Sequence, residues 1–184
     1  NTKKIKINMK KDKNDNVVTK VKEKDKFDPF AYEHLFYEYE LEITDVEINQ
    51  ILFLVQNVDK KDQKTTYQYL NVLNFPVVKN LKNQIISILD KHKLYLADNW
   101  AQLYNKDDKH PIHTHPGSRY SGIIYLKGIN SSPTYFYNSL FDPYTHRFKK
   151  NTLLMFPSHI PHEVKPLSTN EERLIISFNT NIDP

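Results

Sequence analysis

Residues 110–126 read His-Pro-Ile-His-Thr-His-Pro-Gly-Ser-Arg-Tyr-Ser-Gly-Ile-Ile-Tyr-Leu. Three of the eight histidines in the chain, His110, His113 and His115, fall within this one short run. His113 and His115 stand two positions apart. On an extended strand, side chains at that spacing leave the same face, so both imidazoles can reach one point. A second cluster, His159 and His162, stands in Phe-Pro-Ser-His-Ile-Pro-His-Glu-Val at 156–164. Two such clusters predict one metal ion, gripped from two strands of a barrel.

The bulk numbers allow that reading. At 184 residues the chain can bury one sizeable core. Its 39% hydrophobic and 12% aromatic content is that of a globular protein. Twelve Tyr and ten Phe against three Gly favour strands. The net charge of +4 comes from lysines spread over the first 26 residues and the 60–64 and 79–93 regions, which read as solvated surface. Nucleic acid is not indicated as a partner. There is no cysteine, so any metal must be held by His, Asp, Glu or Tyr. No window of eighteen apolar residues exists and no charged-then-apolar leader opens the chain, so no membrane partner is expected and the cytoplasm is the default. Gly-x-Ser-x-Gly, a Gly-rich phosphate loop and a Cys–His pair are all missing, which leaves acyl and phosphoryl transfer without support.

Residues 1–26 read as an N-terminal arm or hairpin, with Ile5, Ile7 and Met9 alternating before a polar turn and Val17-Val18 beginning another run. Residues 27–184 read as a single domain. Tyr37, Tyr39 and Leu41 alternate as a strand does. Thr44-Asp-Val-Glu47 has capping-box spacing and predicts a helix over about 45–57. Residues 59–68 read as a polar loop, and a second helix is expected after Pro76, where Leu81, Ile85, Ile88, Leu89 and His92 form an apolar stripe. His92 there is a core or boundary residue. From Leu94 the period becomes two, with short strands at 94–96, 100–104, 122–126, 134–137, 153–156 and 174–178. Two helices followed by a run of short strands predict a mainly β fold, a double-stranded β-helix (jelly-roll) barrel with helices packed on one side.

Neutral imidazole suits iron, copper, nickel and zinc, and three ligands with open positions make a catalytic site. Arg173 lies eleven positions past His162, on the next strand, where it can face into the barrel. A buried guanidinium needs an anion, and a dicarboxylate would meet it in bidentate fashion.

Those residues also carry a resemblance. Tyr104 nine positions before His113, Ile-Ile-Tyr125-Leu126, and His162 followed by Arg173 match the pattern of the iron(II)- and 2-oxoglutarate (2OG)-dependent oxygenases, prolyl-hydroxylase-like members above all. Trp-x-Gln-x-Tyr, His-x-His-Pro-x-Ser-x-x-Ser-Gly-x-x-Tyr-Leu, Phe-Pro-Ser-x-x-x-His and Glu-Arg-x-x-x-Ser-Phe-Asn resemble a bacterial and phage subgroup of that superfamily, over residues 65–182. The resemblance implies Fe(II) held by His113, His115 and His162, with 2OG and O2 as cosubstrates. It implies a hydroxylase-type dioxygenase that oxidises a small molecule or peptidyl residue and releases succinate and CO2. The protein would then work in the cytoplasm of a bacterium or a phage-infected cell. Arg173 and Tyr125 would bind the remote carboxylate of 2OG with Ser177 assisting, and Tyr104 belongs to the same motif. His110, His159, Asn179 and Gln102 are candidates for contact with substrate or for support behind the ligands.

One position departs from the family. Where it has the carboxylate of His-x-Asp, this chain has His115. Either His115 is the third ligand, or water, a halide or a carboxylate such as Asp142 or Glu163 fills that place. The alternative reading is a cupin-like three-histidine metal protein, a dioxygenase without 2OG or a binder without catalysis. Cupins, however, carry a Glu shortly after the histidine pair and have no use for Arg173 with Tyr125. The bland roles are a loop for His110, a turn for His159 and turn hydrogen bonding for Ser118 and Ser121. His34 and His146 have no neighbours in sequence that suggest chemistry.

Overall fold

Three nearly continuous apolar runs, Gly122–Leu126, Leu153–Phe156 and Leu174–Phe178, are what strands buried on both faces require. The structure is a computed structural model that describes residues 17–18, 36–57, 64–128, 133–137, 143–168 and 170–182. In it those runs form β6 (Tyr120–Lys127), β9 (Thr152–Pro157) and β11 (Arg173–Ile182) at the centre of a seven-stranded sheet. The sheet is completed by β1 (Val17–Val18), β2 (Tyr37–Glu40), β3 (Lys64–Thr65) and β4 (Leu94–Tyr104), in the order β1-β2-β9-β6-β11-β4-β3. A second, four-stranded sheet orders β5 (His110–His113), β10 (His162–Val164), β7 (Thr134–Tyr137) and β8 (Pro143–His146) as β5-β10-β7-β8. Every ladder is antiparallel. This is the expected jelly roll.

Alternation along the central strands sorts the core into two layers. Ala101, Leu103, Ile124, Leu126, Leu153, Met155, Leu174 and Ile176 point outward into a cluster with the helices. Their neighbours Tyr104, Ile123, Tyr125, Leu154, Phe156 and Ile175 point between the sheets, against Phe136 and Val164. The helices are α1 (Asp45–Gln56) and α2 (Lys79–Lys91), both on the outer face. At the start of α1 the Glu47 amide donates to Thr44 Oγ1 at 3.2 Å and the Thr44 amide to Glu47 Oε2 at 2.8 Å, which is the predicted capping box. The predicted stripe of α2 is buried at Leu81, Ile85, Ile88 and Leu89, and His92 caps its end beside Tyr39 and Tyr37.

Three expectations change. The strands expected at 94–96 and 100–104 are one strand. Asp98-Asn99, which looks like a turn in sequence, stays extended because Asn99 Oδ1 accepts from the Leu73 amide at 2.8 Å and Asn71 Oδ1 accepts from the Asn99 amide at 3.1 Å. The polar stretch before Gln68 ends in β3, a short edge strand on β4. His110, expected in a loop, begins β5. Most of the N-terminal stretch, together with His34 and Asp142, lies outside the described residues; Val17 and Val18 pair with Tyr39 and Glu38.

Candidate functional site

Strand pairing brings the two histidine clusters together. His113 and His162 are register partners on β5 and β10, with ring centroids 4.2 Å apart. His115 lies just past the end of β5, so the strand-face argument alone does not place it. Its amide donates to Ser158 O at 2.9 Å, and the chain then turns through Pro116-Gly117, where Gly117 takes φ +88°. Such a φ favours glycine. That anchorage swings the ring back, 5.0 Å from His113 and 5.1 Å from His162 between centroids. One ligand atom from each of the three residues lies within 4.8 Å of the other two.

Donor chemistry decides which atoms are free. His113 Nδ1 lies 2.8 Å from Pro111 O and His162 Nδ1 lies 3.0 Å from Ile160 O. A carbonyl only accepts, so both rings carry their proton on Nδ1 and turn an Nε2 lone pair to the centre. His115 Nε2 lies 3.3 Å from His162 Nε2. His115 Nε2 therefore donates there, and to hold a cation that ring would have to carry its proton on Nδ1 instead. Burial lowers the pKa of all three rings, His115 to about 4 and His162 well below the usual value; neighbouring imidazoles add to it for those two, while the Pro111 carbonyl works against it at His113. Three neutral nitrogen donors aimed at one point fit a divalent transition metal. No carboxylate joins this cluster among the described residues. Glu163 is instead bonded by the Tyr137 hydroxyl and lies 4.0 Å from Lys165.

Behind the imidazoles is a cavity between the sheets, with about 430 Å³ of empty space including its mouth. His113, His115 and His162 all line it, as do Trp100, Thr134, Arg173 and Ser177. Arg173 is fully buried and pairs in register with Tyr104 across β11 and β4. Its Nη2 donates to Thr134 Oγ1 at 2.7 Å, while Nε and Nη1 have no partner among the described residues. The rings of Tyr104 and Tyr125 flank the guanidinium at 5.4 and 5.7 Å. Burial holds both phenols protonated, Tyr104 up to about 12, although the nearby arginine pulls the other way. Two unpartnered N–H-bearing atoms on a buried cation leave a place for an anion.

Comparison with protein-family models and with curated protein sequences finds no match. Solved structures do match. The viral collagen prolyl hydroxylase of Paramecium bursaria Chlorella virus-1, in complex with 2OG, has a TM-score of 0.61 at 12% identity, over 82% of this chain and 97% of that one. HygX from Streptomyces hygroscopicus, with nickel and 2OG bound, scores 0.59 at 12% identity over 80% and 82%. A Pseudomonas putida prolyl-4-hydroxylase scores 0.54 at 13% over 82% and 89%. The chain has the fold of the 2OG–Fe(II) oxygenases. At such identities the likeness carries the fold, and function is argued from the side chains.

The remaining candidates fall in different places. Tyr125 lies behind the cavity wall, its hydroxyl 3.1 Å from Thr134 Oγ1, so Thr134 stands between it and the open space. Tyr104 lines the cavity with its hydroxyl 3.4 Å from His110 Nδ1, and His110 stacks on His113 at 4.1 Å. Asn179 accepts from Ser121 Oγ at 2.9 Å, and Ser121 meets Ser158 at 2.8 Å, so Asn179 supports the turn that anchors His115. His159 is exposed in that turn. Gln102 borders a second recess outside the histidines. His146 is buried against Glu38 at 3.0 Å and stacks on Tyr125, outside the three-histidine cluster. Thr134 is the residue sequence reading missed; it sits in an ordinary strand pattern and no motif marks it.

Proposed function

We propose that this chain is an iron(II)- and 2OG-dependent oxygenase of the hydroxylase type. His113, His115 and His162 hold the metal, and Arg173 receives the distal carboxylate of 2OG, assisted by Ser177. The observation that carries the reading is the pair of unpartnered guanidinium nitrogens, Nε and Nη1, buried in the same cavity as three neutral imidazole donors. Iron(II) with 2OG and O2, when bound, supplies oxidation of a substrate C–H bond with release of succinate and CO2. The chain's own part is positional. Pro111 O and Ile160 O hold the two strand histidines in the tautomer that ligates. Thr134 and the two tyrosines orient the guanidinium. The apolar walls Ile123, Phe156 and Ile175 keep water from the charged centre. The cupin-like alternative leaves Arg173 buried without purpose.

The test is binding of 2OG to nickel-loaded protein by calorimetry, with Arg173→Met as the variant. Removing one partner of a buried charge pair costs about 2–5 kcal/mol, so 2OG affinity should fall on the order of a hundredfold or more while nickel still binds. Undiminished 2OG affinity in the variant would end the anchor assignment.

A further inference from the structure

Outside the histidines, on the side away from Arg173, lies a second recess with about 640 Å³ of empty space including its mouth. His110, His113, His115 and Trp100 line both hollows, so the imidazoles form a partition with the cosubstrate cavity on one side and this recess on the other. Its remaining walls are Thr65, Tyr67, Gln102 and Thr114. None of the lining residues is Lys, Arg, Asp or Glu. Tyr67 meets Trp100 edge to face at 4.9 Å, and Trp100 lies 6.0 Å from His115, which gives an aromatic corner beside the histidines.

Gln102 is the informative residue. It is only 5% exposed, yet its carboxamide makes no hydrogen bond to any described residue. Its polar end reaches the solvent of the recess, so a ligand that supplies both bonds there would replace water rather than leave either amide atom unmet. The backbone of β4 explains its aim. Trp100, Gln102 and Tyr104 alternate on the inner face of the strand, while Ala101 and Leu103 face the helices. A carboxamide offers an acceptor beside a donor, and the group that satisfies both at once is another amide. A carboxylate or phosphate could take only the Gln102 N–H donors and would leave its carbonyl oxygen unmet, and neither it nor a nucleic acid would find a Lys or Arg in the lining.

We infer that this recess is the substrate site and that it takes an uncharged peptide-type amide, paired to Gln102 with its carbon skeleton laid on Trp100 beside the metal. The inference rests on the oxygenase reading above. It would make Gln102 and Trp100 the residues that set specificity.

Trp100 is the only tryptophan in the chain and so reports the recess directly. Protein loaded with nickel and 2OG, kept from turnover by the redox-inert metal, is titrated while tryptophan emission is followed. The probes are N-acetyl amino-acid amides of Ala, Leu, Pro and Phe, the same compounds as free acids, and thymidine monophosphate. At least one capped amide should change the emission saturably, with its free acid about tenfold weaker or worse. Gln102→Leu should weaken the amide by about tenfold, with nickel affinity as the check that the variant is folded. Saturation by none of the amides, equal binding of the free acids or of the nucleotide, or indifference to Gln102→Leu would each overturn the inference. The amide comparison on unaltered protein needs no variant. If nickel and 2OG bind and the amides do not, only this inference falls; if nickel or 2OG fails to bind, the oxygenase reading falls first.

Discussion

A guanidinium stays charged at any ordinary pH, so burying Arg173 completely costs several kcal/mol unless an anion meets it. One neutral hydrogen bond, to Thr134, is what the described residues provide for it. Thr134 therefore holds the fork in the orientation that leaves Nε and Nη1 facing open space. Thr134→Val, equal in shape and lacking the hydroxyl, strands Nη2 and the Tyr125 hydroxyl together. It should lower stability by about 1–3 kcal/mol in urea unfolding and weaken 2OG binding measured in parallel. Unchanged stability would mean that water replaces the threonine and that the orientation comes from elsewhere. His113, His162 and Arg173 were legible in the sequence because their residue types are rare in an apolar strand and their spacing is set by strand pairing. Thr134 was not, since a threonine in a strand is unremarkable until a buried cation is seen beside it.

Among the elements, β6 shows how little room the central sheet has. Gly122 is the register partner of Phe178 on β11, and a Cβ built on Gly122 would lie 2.1 Å from the Phe178 ring. The glycine lets the ring cross its backbone, and Phe178 both fills the outer core and borders the cavity behind the histidines. Gly122→Ala should cost about 1–3 kcal/mol by overpacking. Because the displaced ring borders the cavity, the same change should also loosen 2OG binding in the calorimeter. A variant with wild-type stability and affinity would show that β6 and β11 can part without cost. Both helices and the central strands could be read from periodicity alone. The length of β4 and the start of β5 at His110 could not. Asp98-Asn99 and Pro111 carry turn chemistry, and tertiary hydrogen bonds from Asn71 and Leu73, in the one case, and pairing with β10, in the other, override it.

At the scale of the molecule, the histidine partition makes the metal-free protein sensitive to acid. His110 and His115 are held down to about 4, chiefly by burial, and His113 and His162 are lowered in the same direction. The folded state thus resists protons that the unfolded chain accepts below about 6.5. Stability from these groups is complete above pH 6.5 and declines as pH falls towards about 4, below which His110 and His115 charge in both states. Thermal melts of the metal-free protein should show a midpoint that drops across that window, and His115→Gln should flatten the decline. A flat midpoint from pH 7 to 4.5 would place the imidazoles in solvent. Among the described residues no helix is long and apolar enough to cross a membrane.

The ligands also constrain the order in which this chain can assemble. His115 and His162 are 47 positions apart, and they meet only after β5 has found β10. Any metal held by these rings would therefore find its full set of donors only once β5 and β10 have paired within the four-stranded sheet. A metal bound there would slow escape from the native state, while the speed of refolding rests on the long-range strand pairings themselves.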